Sequence, residues 1–529
     1  MPRSFVGTRR TAFSAACLLA IWMVGCGQDG ELARPAEPPA LPATASGPTP
    51  EPAPAVVAGK PTPETWDAVY LQGNHVGYIH SQFQSAVRNG QPILTASVDT
   101  RLWLTRFGQA SDQQILVVSN EKPSGEVLDF TTEARLGPAP MICKGRVAGD
   151  RLRIESTTGG KTTTSEIPWN KQVGGFAGIE QELARRPLKA GDERQLKLLM
   201  PLLDQVLVAD VSLHARNYGP TSLLAGEYEL LEVDSQTSLP GGLKMSSKLW
   251  INRAGEILKT RMEGFDQVTY RSSREVAEQR LPDKPFDLGF DSIVRLENPL
   301  KSPHTARQIR YRIELKDGDP ASVFTKGGTQ STQSLGPHTI ELTVRQQKPD
   351  AADLGPTEPT PGADDSSGNN LIQTNDPKIM ELAAKAAGSE TDPWQTAVAL
   401  ERFVHDYIKR KGFSHAFATA AEVAAQPEGD CTEHAVLLAA LCRARGIPAR
   451  VATGLVYIDT PPGFGFHMWD EVYIAGHWIP LDATLGRGGI GAGHIKLAHS
   501  NLKETTALGC FLPVAQVLGR LKIEVLEVK

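Results

Sequence analysis

The sequence predicts a multidomain protein in which a mainly antiparallel β domain precedes a region of helices followed by strands. Apolar and polar residues alternate with a period of two from Trp66 onward, as in "WDAVYLQGNHVGYIHSQF". From about residue 375 the apolar spacing becomes helical, and a proline-rich stretch lies before each of the two regions. A chain of 529 residues is also too long for one ordinary hydrophobic core.

The first 26 residues have the composition of an export signal. Arginines precede the apolar run "TAFSAACLLAIWMV", which is too short to span a bilayer as a helix. The run ends in "MVGC", and this ending resembles the signal of bacterial lipoproteins, which are cleaved before a cysteine that then receives lipid. The resemblance predicts lipidation of Cys26 and an exported protein, lipid-anchored to a bacterial membrane and facing the periplasm or the cell exterior. A plain secretory signal is the alternative.

We expect Cys26→Ser to abolish lipid attachment, because the lipid is transferred to the cysteine thiol. The variant should be soluble or uncleaved, and metabolic labelling with a fatty-acid analogue should mark only the wild-type protein. Labelling of the serine variant at wild-type strength would rule out Cys26 as the lipid site.

Changes in composition divide the remaining chain into six segments. The first is rich in proline and alanine, cannot bury a core and favours extended polyproline geometry, so we expect a stalk. A later stretch is acidic and rich in Pro, Gly and Ser, which indicates a linker or a long surface loop. In order, the predicted segments are the stalk at 27–63, a large β-rich domain of unknown function at 64–290, a small β module at 300–347, the linker at 348–374, a domain of helices and strands at 375–500 and a C-terminal extension at 501–529.

The β-rich segment contains no motif that carries chemistry. Gly73-Asn74 is the expected turn of its first hairpin, and a helix is expected near residues 176–186. The small module at 300–347 holds two predicted strands, "RQIRYRIEL" and "HTIELTVRQ".

Net charge and cysteine usage exclude two classes of protein. The net charge is −5 and no basic stripe stands out, so nucleic acid is not an expected partner. After signal cleavage and modification of Cys26, only Cys143, Cys431, Cys442 and Cys510 remain. Their wide separation is not that of a disulfide framework, although an exported protein could support one.

One cysteine stands at the start of a predicted helix, in the stretch "GDCTEHAVLLAALCRARGIPAR" at 429–450. Asp430 and Glu433 have the spacing of a capping box, which makes Asp430 the N-cap and Cys431 the first helical residue. Gly446 suits the position that ends the helix. Cys431 therefore lies where unpaired N–H groups and the helix dipole favour the thiolate, and where those N–H groups could stabilise an oxyanion.

A base and an orienting acid for this thiol are expected on the downstream hairpin "HMWDEVYIAGHWIPLDAT". If Ala475-Gly476 is a two-residue turn, Trp469 pairs with Asp482. His467 shares the face of Trp469, so Asp482 lies one diagonal step from His467, roughly 7 Å between backbones, whereas Asp470 points to the opposite face. Asp482 would fix the tautomer of His467, and His467 would take the proton of the thiol.

Both stretches resemble the transglutaminase-like superfamily, a group of papain-like folds. The residues that carry the resemblance are "GDCTEHAVLLAALCRARGIPARVATG" and "HMWDEVYIAGHWIPLDAT", and it covers about 375–500. It implies an α+β domain in which a helix that bears the cysteine packs on an antiparallel sheet that bears the other two residues. It also implies that Cys431 is the nucleophile, His467 the base and Asp482 the orienting acid.

Several alternatives stay open for individual residues. Trp394 or Gln426 could supply the family's side-chain oxyanion donor, although Trp394 also fits a core position. Cys442, deeper in the helix, fits a buried structural cysteine. Cys431 and His434 have a Cys-x-x-His spacing that could bind zinc, but a metal needs more ligands and Cys442 lies roughly 16 Å along the helix axis from Cys431. We therefore expect no metal and no cofactor.

The expected function is thiol-dependent acyl transfer on amide bonds of a peptide or protein substrate. Cys431 would attack an amide, release an amine and leave a thioester. The acceptor, water or an amine, decides between a protease or amidase and a transglutaminase, and water is the default acceptor unless a site excludes it. The alternative is a non-catalytic protein-binding module that retains the fold. Loss of a triad member would favour that alternative, and all three are present.

Overall fold

A computed structural model describes residues 64–529 with internal gaps. The predicted signal, the lipid site Cys26 and the stalk lie outside the described residues, as does Cys510. The gaps are 137–138, 203–204, 241–243, 264–265, 281–285, 317, 350–357, 413–417, 504–512, 515 and 518.

Fourteen antiparallel strands form one continuous sheet in the N-terminal region, which confirms the predicted fold class for this part of the chain. The strands are β1 (Glu64–Leu71), β2 (Asn74–Arg88), β3 (Gln91–Arg106), β4 (Gln109–Glu121), β5 (Val127–Arg135), β6 (Met141–Ala148), β7 (Arg151–Thr158), β8 (Lys161–Pro168), β9 (Glu193–Leu202), β10 (Gln205–Leu223), β11 (Gly226–Ser238), β12 (Lys244–Ile251), β13 (Ile257–Met262) and β14 (Gln267–Ser272). Their spatial order runs from β8 to β1 and then from β14 to β9. Two strands that are consecutive in sequence, β8 and β9, therefore form the opposite edges of the sheet.

Local features of this sheet lie close to their predicted positions. The first turn is displaced by one residue, because Gln72 and Gly73 both have positive φ and Asn74 begins β2. A two-residue hairpin turn needs this left-handed backbone at both central positions. The predicted helix near 176–186 is α1 (Gly178–Arg185), which connects the two edge strands.

The module predicted at 300–347 has three strands instead of two, β16 (Gln308–Leu315), β17 (Gln330–Gly336) and β18 (Thr339–Arg345). Its sheet has the order β17-β18-β16-β23, and β23 (Leu521–Val528) comes from the predicted C-terminal extension. The sequence of β17, "QSTQSLG", is polar and mostly exposed at the sheet edge, so it lacks the alternation by which strands are predicted. Its existence depends on pairing with β18.

The described part of the predicted linker, from 358 to 374, is packed against the C-terminal domain. Glu358 forms an ion pair with Arg450, and the carbonyl of Pro359 accepts a hydrogen bond from the indole of Trp478. Leu371 and Ile372 are buried in the main hydrophobic cluster. The described part of the segment predicted as a linker or a long surface loop is therefore held against the C-terminal domain, partly by two apolar residues that its overall composition hides.

The C-terminal domain packs helices on an antiparallel sheet, which is the α+β arrangement that the resemblance implies. Between the large sheet and this domain lie α2 (Arg274–Ala277), α3 (Leu288–Asp291) and β15 (Val294–Arg295). The domain contains α4 (Pro377–Ala387), α5 (Pro393–Tyr407), α6 (Ala420–Ala425), α7 (Cys431–Ala444), β19 (Ala449–Asp459), β20 (Pro462–Ile474), β21 (His477–Leu481) and β22 (His494–Ser500). Its sheet has the order β15-β20-β19-β22, with β21 paired to β20.

The large sheet and the C-terminal domain share a hydrophobic core. Met200, Met245 and Met262 of the large sheet belong to the same continuous cluster of buried residues as the apolar residues of α7. The two regions are therefore packed directly on each other. Across the described part of the chain, every helix is too short or too polar to span a bilayer.

Candidate active site

The predicted helix start at Cys431 is confirmed. Asp430 is the N-cap, its carboxylate accepts the backbone N–H of Thr432 at 2.8 Å, and Glu433 accepts the N–H of Asp430 at 2.9 Å, which completes the capping box. Cys431 is the first residue of α7 and is fully buried. The helix ends at Ala444, two residues before the glycine with positive φ that the sequence placed there.

The hairpin that carries the other two residues has the predicted register. Ala475 and Gly476 form the turn with positive φ, and the last pair before the strands separate joins Asp470 to Leu481. Asp482 follows directly, so it lies at the level of Trp469 and on the same face as His467.

The structure brings Cys431, His467 and Asp482 together. The Nε2 of His467 lies 2.7 Å from Oδ2 of Asp482, and because a carboxylate only accepts, this nitrogen donates. The side chain of Cys431 forms a hydrogen bond with the same imidazole. With Nε2 engaged by the acid, Nδ1 is the ring nitrogen left for the thiol. The catalytic role of the three residues stays a prediction, but their arrangement is that of a nucleophile, a base and an orienting acid.

The pKa values of His467 and Asp482 are shifted in opposite directions. Burial alone would lower the pKa of His467, but the carboxylate of Asp482 and the hydrogen bonds to Asp482 and Cys431 outweigh it and raise that pKa to about 10. Burial likewise opposes ionisation of Asp482, yet His467 and a second imidazole hold the pKa of Asp482 well below its usual value. The array therefore favours an imidazolium beside an ionised carboxylate at neutral pH.

The second imidazole belongs to His494 on β22, which the sequence analysis missed. Its Nε2 lies 3.0 Å from the same Oδ2 of Asp482, and burial lowers the pKa of His494, so it donates as a neutral ring. The other carboxylate oxygen of Asp482 accepts the N–H of Thr484 at 2.9 Å. Trp469 stacks beside His467 at 6.1 Å between ring centroids and meets His494 edge-on at 5.3 Å. These contacts fix the acid and cover it from solvent.

Glu401 on α5 supports the backbone that carries the acid, and it was also missed. Its carboxylate accepts the N–H groups of Asp482 at 3.1 Å, Gly488 at 2.6 Å and Gly489 at 3.3 Å. Burial raises the pKa of Glu401 to about 7 despite these donors. A signal was available, since Glu401 lies three residues from both Val398 and Val404 on the apolar stripe of its helix.

The other residues that the sequence singled out have structural positions outside the triad. Cys442 is buried three turns along α7, and burial raises its pKa well above the usual value, as expected of a structural thiol. The Nδ1 of His434 donates to the backbone carbonyl of Asp430 at 2.6 Å, so this ring is a hydrogen-bonding residue of the first turn. Trp394 packs against the main core, and Gln426 is exposed at the end of α6. The side-chain oxyanion donor therefore stays unassigned.

Among the residues that the structure describes, two groups of side chains have ligand atoms within 4.8 Å of one another, close enough to hold a metal ion. The first is His467, Asp482 and His494, whose proximity is explained by the two hydrogen bonds to one carboxylate oxygen. The second is Glu358, Glu471 and His499, whose carboxylates are paired with Arg450 and Lys496. We therefore assign neither group as a metal site.

A cavity of about 270 Å³ lies beside the triad. Its lining includes His434 from the first turn of α7, as well as Thr484 and Leu485, which follow Asp482. Cys431, His467 and Asp482 are themselves fully buried and do not line this cavity.

Comparison with known families gives one match. Residues 380–483, which include the cysteine, the histidine and the aspartate, match the transglutaminase-like superfamily. A comparison with curated proteins gives no match.

Solved structures give similarities of low score. A candidate cysteine protease from Cytophaga hutchinsonii is 16% identical, with 42% of this chain and 87% of that chain covered and a TM-score of 0.26. A β-barrel-like protein of a domain of unknown function from Brucella abortus is 10% identical, with coverages of 39% and 93% and a TM-score of 0.29. These scores are too low to support an argument about function.

Proposed function

Because residues 380–483 are a domain of the transglutaminase-like superfamily, we propose that this protein is a thiol-dependent acyl-transfer enzyme that acts on amide bonds. The observation that carries the proposal is the buried hydrogen-bonded array of Cys431, His467 and Asp482 at the N-terminus of α7. The helix N-terminus favours the thiolate, and the imidazolium of His467 is a matched counter-ion and proton donor.

The proposed reaction has two half-reactions. Cys431 Sγ attacks the amide carbon, and the positive N-terminal end of α7 stabilises the charge of the tetrahedral oxyanion. The C–N bond breaks as the His467 imidazolium gives its proton to the leaving amine, which leaves a thioester on Cys431. Water then attacks the thioester, its proton passes to His467, and the C–S bond breaks to release the acid.

The acceptor is proposed to be water, which makes the protein a protease or amidase. A transglutaminase would use an amine in the second half-reaction, and the first would be unchanged. Peptides or proteins are the proposed substrates. If Cys26 is lipidated, they would be encountered at the cell envelope.

The test is selective labelling of the folded protein with iodoacetamide near neutral pH, followed by mass spectrometry of the labelled peptides. We expect Cys431 to react much faster than Cys442, because a base lies beside only the first thiol and burial raises the pKa of the second. Equal rates for the two cysteines would remove the main physical support for a nucleophile.

A second measurement separates an enzyme from the non-catalytic binding module. The activated ester p-nitrophenyl acetate should release p-nitrophenol as Cys431 is acylated, and mass spectrometry should find the acetyl group on that residue. A protein in which Cys431 is alkylated rapidly but never acylated would favour the binding module.

A further inference from the structure

The large β sheet reaches the candidate active site through one buried side chain. Arg106, the last residue of β3, forms an ion pair with Asp430, the N-cap of α7 and the residue that precedes Cys431. The two side chains are 1% and 0% exposed, so both charges are removed from water. The pair joins residues 324 positions apart.

The position of Arg106 is fixed by its surroundings. It stands directly before the β3–β4 turn, in which Phe107 and Gly108 have positive φ. Asp287 accepts the N–H groups of both turn residues, at 2.9 and 2.7 Å. The hairpin tip is thus held by a third segment while Arg106 extends to the start of α7.

The charge of Arg106 bears on the chemistry of Cys431. Asp430 is needed as the N-cap, since it accepts hydrogen bonds from the backbone and hydroxyl of Thr432. A carboxylate beside the nucleophile, however, disfavours the thiolate by repulsion. The guanidinium of Arg106 contacts that carboxylate at the oxygen that the cap does not use, and so offsets its charge.

We infer that Arg106 is a positioning residue for Cys431, so that the large sheet completes the active site of the C-terminal domain. Arg106 acts through Asp430: it holds the cap in place and cancels the cap's charge where the thiolate must form. The inference rests on the proposed function, because it assigns Arg106 a part in the reactivity of the same thiol.

The experiment measures the rate of Cys431 alkylation by iodoacetamide as a function of pH in the full-length protein. In Arg106→Met we expect the midpoint of the pH–rate profile to rise by about one unit, which lowers the rate about tenfold at pH values below the midpoint. The midpoint of Arg106→Lys should lie between those of Arg106→Met and the wild type, because lysine keeps the positive charge but lacks the guanidinium fork.

Two further variants separate charge from structure. Arg271→Met breaks another arginine–aspartate pair of the same sheet, between the partly buried Arg271 and the buried Asp67 at 3.0 Å, and should leave the midpoint unchanged. The double variant Arg106→Met/Asp430→Asn removes the uncompensated carboxylate while asparagine keeps the N-cap, so it should restore the wild-type midpoint.

The inference is overturned if folded Arg106→Met has the wild-type midpoint, or if Arg271→Met shifts the midpoint by the same amount. It is also overturned if the midpoint of the double variant does not return to the wild-type value. If Arg106→Met does not fold, the midpoints of Arg106→Lys and of the double variant test the inference: the first should be raised and the second should equal the wild-type value. Failure of the proposed function would look different, since wild-type Cys431 would then react no faster than Cys442.

Discussion

Replacing Asp482 with asparagine should lower turnover of p-nitrophenyl acetate by roughly 10²- to 10⁴-fold without unfolding the protein. An amide NH₂ in place of Oδ2 would donate toward His467 and force its Nε2 to accept, which places a proton on the nitrogen that faces Cys431. The loss of the carboxylate would also weaken the imidazolium, whose raised pKa depends on Asp482. Steady-state turnover and the rate of Cys431 alkylation should therefore fall together.

Asp470→Asn is the matched control for this variant. Asp470 lies on the same strand as His467 but on the opposite face, is fully buried, and has a pKa that burial and the nearby Asp482 raise well above the usual value. A neutral carboxylic acid is closely mimicked by asparagine, so activity should change little. If Asp470→Asn were the inactive variant and Asp482→Asn the active one, the acid would be misassigned.

Replacing Glu401 with glutamine should change how stability depends on pH. Burial raises the pKa of Glu401 from 4.5 to about 7, so between these values the folded protein binds a proton that the unfolded chain does not. Stability from this group is therefore fully present below pH 4.5 and is lost as the pH rises through 7. Glutamine does not titrate, so the free energy of unfolding of the wild type relative to Glu401→Gln should fall by about 3 kcal/mol across this interval.

The measurement is chemical denaturation of both proteins at several pH values from 4.5 to 8. Glu471→Gln is the control, since burial of Glu471 is outweighed by Lys496 and Arg450, which lower its pKa to about 2. The contribution of Glu471 to stability changes only below pH 4.5. The difference in the free energy of unfolding between the wild type and Glu471→Gln should therefore be constant in the measured range. If the difference in the free energy of unfolding between the wild type and Glu401→Gln were also constant with pH, Glu401 would not titrate near neutrality.

The link between Arg106 and Asp430 connects the β-rich region to the candidate active site, a connection that the sequence of this region does not suggest. The sequence of that region contains no motif that carries chemistry, yet one of its hairpin tips contacts Asp430, the residue before Cys431. The shared hydrophobic cluster, with Met200, Met245 and Met262, holds the sheet and the C-terminal domain in contact. A C-terminal domain separated from the sheet would lack the buried countercharge at the N-terminus of α7.

The sequence by itself determined the features that depend on neighbouring residues. The capping box at Asp430 and Glu433, the turn at Ala475-Gly476 and the alternation of the β-rich region all follow from local hydrogen bonding and side-chain periodicity. These features suffice to place Cys431 at a helix start and Asp482 near His467.

Only the tertiary structure decided which side chains support that site. Arg106, Glu401 and His494 come from three separate elements, and the partner of each is known only from the fold. The apolar stripe of α5 indicates that Glu401 is buried but not which groups it binds. The polar strand β17 and the packing of residues 358–374 depend in the same way on distant partners. The physical reason is that a buried charge or polar strand is stable only with a partner, and the fold, not the neighbouring sequence, supplies that partner.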